Sequence, residues 1–145
     1  MAVLEGIVDG TIDAIATDHA PHDDYTKRCE FIAASNGIVG LETALPLSLA
    51  LLAGGKVSPS RLVELLCVNP ARILNLKGKG AMGVGDDGDV TVIDPDAEWE
   101  LRAQDLRSKS RNSPFIGWAM RGRAVVTIRA GRVTHSLIPG TPSYA

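Results

Sequence analysis

Residues 11–22, TIDAIATDHAPH, decide the fold. Ile12, Ala14, Ile15 and Ala16 are apolar, and the run stops abruptly at Asp18-His19-Ala20-Pro21-His22. A short apolar run that ends in a polar cluster predicts a buried strand of a parallel sheet, a kind of sheet covered on both faces. Ligand-binding and catalytic groups gather at the C-terminal ends of such strands. A carboxylate with two imidazoles at that place can bind a divalent metal, accept a proton, or grip an anionic substrate. Beside a metal-bound hydroxide, the carboxylate can shuttle the proton that water loses and a leaving amine gains. Pro21 stiffens the turn ahead of His22. Asp18 also has a plain structural reading, as the residue that satisfies its own turn.

Outward from this stretch, residues 1–10 predict the tail of a helix loosened by Gly6 and Gly10. Residues 23–37 predict a long polar loop, of a length that is often functional in compact domains. Residues 39–53 predict a buried helix, bent by Pro46 and closed by Gly54-Gly55. Ser58-Pro59 is an N-cap followed by proline at the first helical position, and Asn69-Pro70 repeats the signal for a second start. After Gly78 the pattern turns β-like. DVTVID over residues 89–94 predicts a strand, residues 98–101 a second, and residues 123–129 and 132–135 a hairpin about Ala130-Gly131. Residues 102–120 read as irregular, with a turn at Asn112-Ser113-Pro114-Phe115. The chain therefore divides into residues 1–77, strand plus helices, and residues 78–138, mostly β, with a flexible tail at 139–145.

The 145 residues carry a formal net charge of −2, 45% hydrophobic and 4% aromatic residues. This composition suits a globular protein and excludes a disordered or collagen-like chain. The charge is split. Residues 1–101 hold 7 basic and 16 acidic side chains, and residues 102–145 hold 8 basic and 1 acidic. The basic segment lacks interleaved aromatics and any nucleic-acid motif, so it predicts neutralisation of an acidic neighbour and no nucleic-acid binding. No apolar run is long enough to span a membrane, and residues 1–10 lack a secretory pattern. Cys29 and Cys67 have no metal-type spacing and read as reduced thiols, which points to the cytoplasm. The length is below the roughly 200 residues of a complete TIM barrel.

Four ordered blocks carry a family resemblance. Residues 13–22, DAIATDHAPH, resemble a dihydroorotase signature. Residues 37–46 (GIVGLETALP), 69–74 (NPARIL) and 109–115 (KSRNSPF, with Gly117) resemble the blocks that follow it. Together they resemble the C-terminal part of the longer-chain, bacterial-type dihydroorotases of the amidohydrolase superfamily. The resemblance implies an α/β fold: the C-terminal fragment of a (β/α)₈ TIM barrel, with its last strand and helices, plus part of a small β-sandwich. It also implies the reversible, zinc-dependent cyclisation of N-carbamoyl-L-aspartate to dihydroorotate, in pyrimidine biosynthesis.

By that resemblance, Asp18 is a metal ligand and general acid/base at the end of the eighth strand. His22 holds the substrate carboxylate, and Asn36 and Gly37 contact the substrate ring through their main chain. Asn36 departs from the Phe or Pro usual before that glycine, and a main-chain contact tolerates the change. Hydantoinases and allantoinases are similar here but generally lack the histidine at position 22. Neither the His-x-His pair of the family's first strand nor its remaining Zn2+ ligands and substrate-binding Arg and Asn are found in this sequence. The chain is therefore expected to be the last piece of a longer enzyme, inactive and self-associating alone. The competing readings are a non-catalytic remnant or structural subunit supporting aspartate carbamoyltransferase, and another cyclic amidohydrolase such as a hydantoinase or allantoinase.

Overall fold

The computed structural model describes residues 2–141. Helix α1 (Ala2–Asp9) ends where Gly10 takes a φ of +89°, a conformation that glycine adopts without penalty. The segment after it is not a strand of a sheet. Residues 12–17 have no regular secondary structure, and no strand among the described residues pairs with them. The one ladder contact nearby falls just after them, an isolated parallel bridge between His19 and Ile38. A parallel strand needs neighbours across a crossover, and the only described sheet is antiparallel and lies elsewhere in the chain.

Helical side chains and carbonyls hold the segment instead. The Arg61 guanidinium donates to the Ile12 carbonyl (2.8 Å), the Asn69 amide donates to Asp13 (2.8 Å), and the Ile15 N–H donates to Leu65 (3.1 Å). Ile12 and Ile15 pack beside the buried cluster of Ile7, Val57 and Leu65. Ile12, Ala14 and Ile15 are only half-buried and Ala16 is exposed, against the expectation of full burial.

The polar loop contains a short helix α2 (Asp24–Lys27), capped by Asp23, whose carboxylate accepts from the Thr26 N–H at 2.8 Å. Helix α3 (Leu41–Leu49) carries Pro46 inside it and runs into a 3₁₀ turn at Ala50–Leu52. The Ser58 cap is present: its hydroxyl accepts from the Arg61 N–H, opening helix α4 (Pro59–Val63). The second start at Asn69-Pro70 is not. Helix α4 passes through a π turn (Glu64–Val68) into α5 (Asn69–Ile73) without interruption. Pro70 removes an N–H from the ladder, and the Asn69 N–H reaches back to the Glu64 carbonyl, so the chain absorbs the proline as a π bulge. Asn69 has helical dihedrals, which frees its side chain for the bond to Asp13.

The β region is a three-stranded antiparallel sheet in the order β1 (Val90–Glu100), β2 (Ala119–Arg129), β3 (Arg132–Ser136). The two strands expected at 89–94 and 98–101 are one strand. It is interrupted by a register shift between Asp94 and Glu98, where Pro95 cannot donate to a ladder. The hairpin forms as expected, with Ala130 at φ +49° and Gly131 at φ +74°, both central residues left-handed as a type I′ turn requires.

The second core cluster joins Val39, from the segment before α3, to Leu101, Leu106 and Met120, with Trp99 and Phe115 packed against it. Its members come from both compositional segments. A cavity of about 710 Å³ lies beside it, lined by α3 and sheet residues that include Glu42, Arg123 and His135. Arg123 is half-buried, its guanidinium 4.9 Å above the Trp99 ring. His135 is half-buried as well. Of the tail expected at 139–145, Pro139 and Gly140 form a turn closed by the Thr141 N–H on the Ile138 carbonyl, and residues 142–145 lie outside the described residues.

Candidate active site

The site is assembled where two segments meet. The Ala20 N–H donates to the Ile38 carbonyl at 2.8 Å, and the Gly40 N–H donates to Nδ1 of His19 at 3.1 Å. The two glycines that bracket the second segment make this approach possible. A Cβ on Gly37 would sit 2.5 Å from the Ala20 Cβ, and one on Gly40 would sit 3.1 Å from the Thr17 carbonyl oxygen. Gly37 also has φ +100°, outside the range of ordinary L residues. The turn with Asp18 and His22 is thereby brought against the main chain of residues 36–38.

Asp18 is exposed and left-handed, with φ +47°. A non-glycine residue there stores strain of roughly 1–2 kcal/mol, and Asp tolerates it better than most. His22 is half-buried, and its N–H donates to the Ala20 carbonyl at 3.0 Å, which tightens the turn through Pro21. Asp23 follows at once. The N–H of Thr26 holds its carboxyl below the usual carboxylate range.

His19 is used differently from its neighbours. Because Nδ1 accepts the Gly40 N–H, neutral imidazole must carry its proton on Nε2. That nitrogen is then a donor without a lone pair for a metal. Among the described residues, no group of three or more His, Cys, Asp or Glu side chains could hold a metal ion. The donor set of this chain thus does not fit a complete metal centre, and Asp18 supplies at most one ligand of the three or four that zinc requires.

The remaining expected residues fall at the same place. Gly37 is half-buried against Ala20, and Asn36 is exposed beside it. Two side chains that carried no assignment in the sequence also converge here. The Asn112 amide donates to the Gly37 carbonyl at 2.9 Å, and the Asn112 carbonyl accepts from the Val39 N–H at 2.9 Å. The Lys27 ammonium donates to that same Gly37 carbonyl at 3.0 Å and also to the Ser35 carbonyl. Glu42, in the first turn of α3, accepts from the N–H groups of Arg107 (2.7 Å) and Ser108 (3.3 Å), anchoring the segment that carries Asn112. Asn112 lies inside a motif block, which was its one sequence signal. Lys27 had none.

An exposed carboxylate at a strained turn, the imidazoles that follow it and the glycine-bracketed main chain of residues 37–40 thus meet at one place. A model of the Amidohydrolase family matches residues 1–134. The chain belongs to this family.

Within it, curated relatives include the dihydroorotase of Geobacter sp. (strain M21), 57% identical over 134 residues. The dihydroorotase of Citrifermentans bemidjiense is 54% identical over the same length. Each alignment covers 92% of this chain and 31% of the relative, so the chain spans about a third of the length of the relatives it matches. Among solved structures, the L-hydantoinase of Arthrobacter aurescens matches with a TM-score of 0.85 at 34% identity, over 92% of this chain and 31% of that one. The D-hydantoinase of Thermus sp. matches with a TM-score of 0.83 at 25% identity, over 93% and 31%. The α/β arrangement of helices with a small antiparallel sheet is therefore that of an amidohydrolase portion.

Proposed function

We propose that this chain forms the C-terminal part of a dihydroorotase, acting on dihydroorotate and N-carbamoyl-L-aspartate. The observation that carries the reading is the contact of the Asp18–His22 turn, through His19 and Ala20, with residues 37–40, which places the turn bearing a candidate proton carrier and a candidate anion-binding imidazole beside the Gly37 main chain. The names of the sequence relatives supply the substrate. In the hydrolytic direction, water adds across the ring amide: its oxygen bonds to the carbonyl carbon and the C–N bond breaks. Asp18 takes the proton released by water and returns it to the departing ring nitrogen. His22 pairs with the substrate carboxylate, and residues 36–37 orient the ring through the backbone.

In this reading, a zinc ion supplies activation of the water when bound, and its ligands beyond Asp18 come from residues that this chain does not contain. Residues 1–77 then form the end of a (β/α)₈ barrel and residues 78–138 part of a β-sandwich. The cytoplasm as location belongs to the same proposal. What is observed is that no helix among the described residues is long and apolar enough to cross a membrane.

The test is a fusion in which residues 1–134 replace the matching segment of the Geobacter dihydroorotase. The fusion should hydrolyse dihydroorotate, lose turnover to a chelator and regain it with zinc. Asp18→Ala should lower kcat by about 10²–10⁴-fold, the usual worth of a positioned acid/base. Full activity of Asp18→Ala would refute the assigned role. The likeness to hydantoinases favours one second reading, action on another cyclic amide. Preference of the same fusion for hydantoin over dihydroorotate would establish it.

A further inference from the structure

We infer that Lys27 and Asn112 are positioning residues that aim the main chain of Asn36 and Gly37 at the substrate, an inference that rests on the dihydroorotase reading above. The Lys27 ammonium bridges two carbonyls, those of Ser35 and Gly37, which flank the Asn36–Gly37 peptide on either side. Asn112 donates to the second of them from the opposite direction in sequence. The Gly37 carbonyl therefore receives two donors, filling both of its lone pairs.

The geometry of the peptide converts this grip into an aim. In a trans peptide the N–H points opposite to the C=O, and no peptide bond among the described residues is cis. With the Ser35 carbonyl drawn toward Lys27, the Asn36 N–H is turned away from Lys27. The Gly37 carbonyl belongs to the following peptide, so its two donors fix the Ile38 side of Gly37 and, with φ at +100°, confine the rotation that turns the Asn36–Gly37 peptide. Neither the Asn36 nor the Gly37 N–H finds an acceptor among the described residues. The cation on the Ser35 carbonyl also polarises that peptide unit, which makes the Asn36 N–H a stronger donor toward an oxygen of the ligand. Asn36 thus serves through its backbone, and its side chain is free to vary.

Asn112 does not act from a floppy loop. Its own carbonyl is tied to Val39, a residue 1% exposed in the core, and its segment is tied to α3 through Glu42. The chain of contacts runs from α3 through Glu42 to the segment of residues 107–112, and from Asn112 to the Gly37 carbonyl. Lys27 is placed by α2, whose Asp23 cap follows His22 directly, so the anion-binding imidazole and the main-chain clamp share one short segment.

The experiment uses the fusion described above. In it, Lys27→Met and Asn112→Leu should each raise KM for dihydroorotate about tenfold with kcat within about threefold, the scale expected when one hydrogen bond to a positioned group is lost. Lys27→Arg keeps a donor and should restore KM to within about threefold of the parent. A merely structural role would reduce the active fraction, lowering kcat and leaving KM unchanged. An unchanged KM in both variants overturns the inference. If the parent fusion shows no turnover, the dihydroorotase reading has failed, and hydrogen exchange on the same proteins decides the clamp alone. Faster exchange of the Val39 and Gly40 amides in both variants supports it, and unchanged exchange overturns it.

Discussion

Gly37→Ala tests whether the close approach of the two site segments is a real constraint. The new Cβ would lie 2.5 Å from the Ala20 Cβ, where carbon atoms normally rest about 3.5–4.0 Å apart. The segments must therefore separate by roughly 1 Å or more. The left-handed backbone adds about 1–2 kcal/mol for any L residue, and the overpacking adds about 1–3 kcal/mol, for a total of about 2–5 kcal/mol. Gly55→Ala is the matched control, because its φ of +66° is also left-handed but nothing lies within 4 Å of the added Cβ. It should lose only the backbone part.

The readout is a urea titration followed by tryptophan fluorescence. Trp99 packs on the cluster that contains Val39, two residues from the substitution. With a slope of about 2 kcal/mol/M for a chain of this size, a loss of 3 kcal/mol lowers the midpoint by about 1.5 M. In the double variant, Ala20→Gly removes the atom that is struck and should return about 1–3 kcal/mol, a coupling read from the double-mutant cycle. Equal midpoints for Gly37→Ala and Gly55→Ala would refute the argument, as would the absence of any rescue by Ala20→Gly.

Two further outcomes follow from other features. Lys79 and the Ala130 N–H both bond to Asp89, which holds its carboxyl below the usual value. A lowered folded-state pKa gives stability that is intact above the ordinary carboxylate value of 3.8 and lost as pH falls through the lowered one, so acid unfolding of the parent should be steeper below pH 3.8 than that of Asp89→Asn. The isolated chain should self-associate in light scattering, because Tyr25, Phe31 and Ile32 are at least 90% exposed and the outer edge of β1 pairs with no described strand. A monodisperse monomer with a cooperative melt would contradict this.

Local signals were legible where local physics decides. Ser58-Pro59 caps a helix because a hydroxyl and a missing N–H act within one turn, and Ala130-Gly131 turns a hairpin for the same kind of reason. Asn69-Pro70 presents the same signal, yet the helix continues through it. There the neighbouring segment supplies the deciding contact, a carbonyl of residue 13 for the Asn69 side chain. Residues 12–18 have the composition of a strand, but strand formation depends on partners, and no strand among the described residues pairs with them.

By itself, the sequence determined the membership of the chain in its family and the polar cluster from Asp18 to His22. Both are carried by residue types in fixed order along the chain, which needs no folding to be read. Only the tertiary structure decided that His19 faces Gly40 while Asp18 stays exposed, since the choice depends on which backbone N–H arrives from 21 residues away. It alone brought Lys27 and Asn112 to one carbonyl, from 10 and 75 residues away. A hydrogen bond acts over about 3 Å regardless of separation along the chain, so such convergence has no trace in spacing or composition.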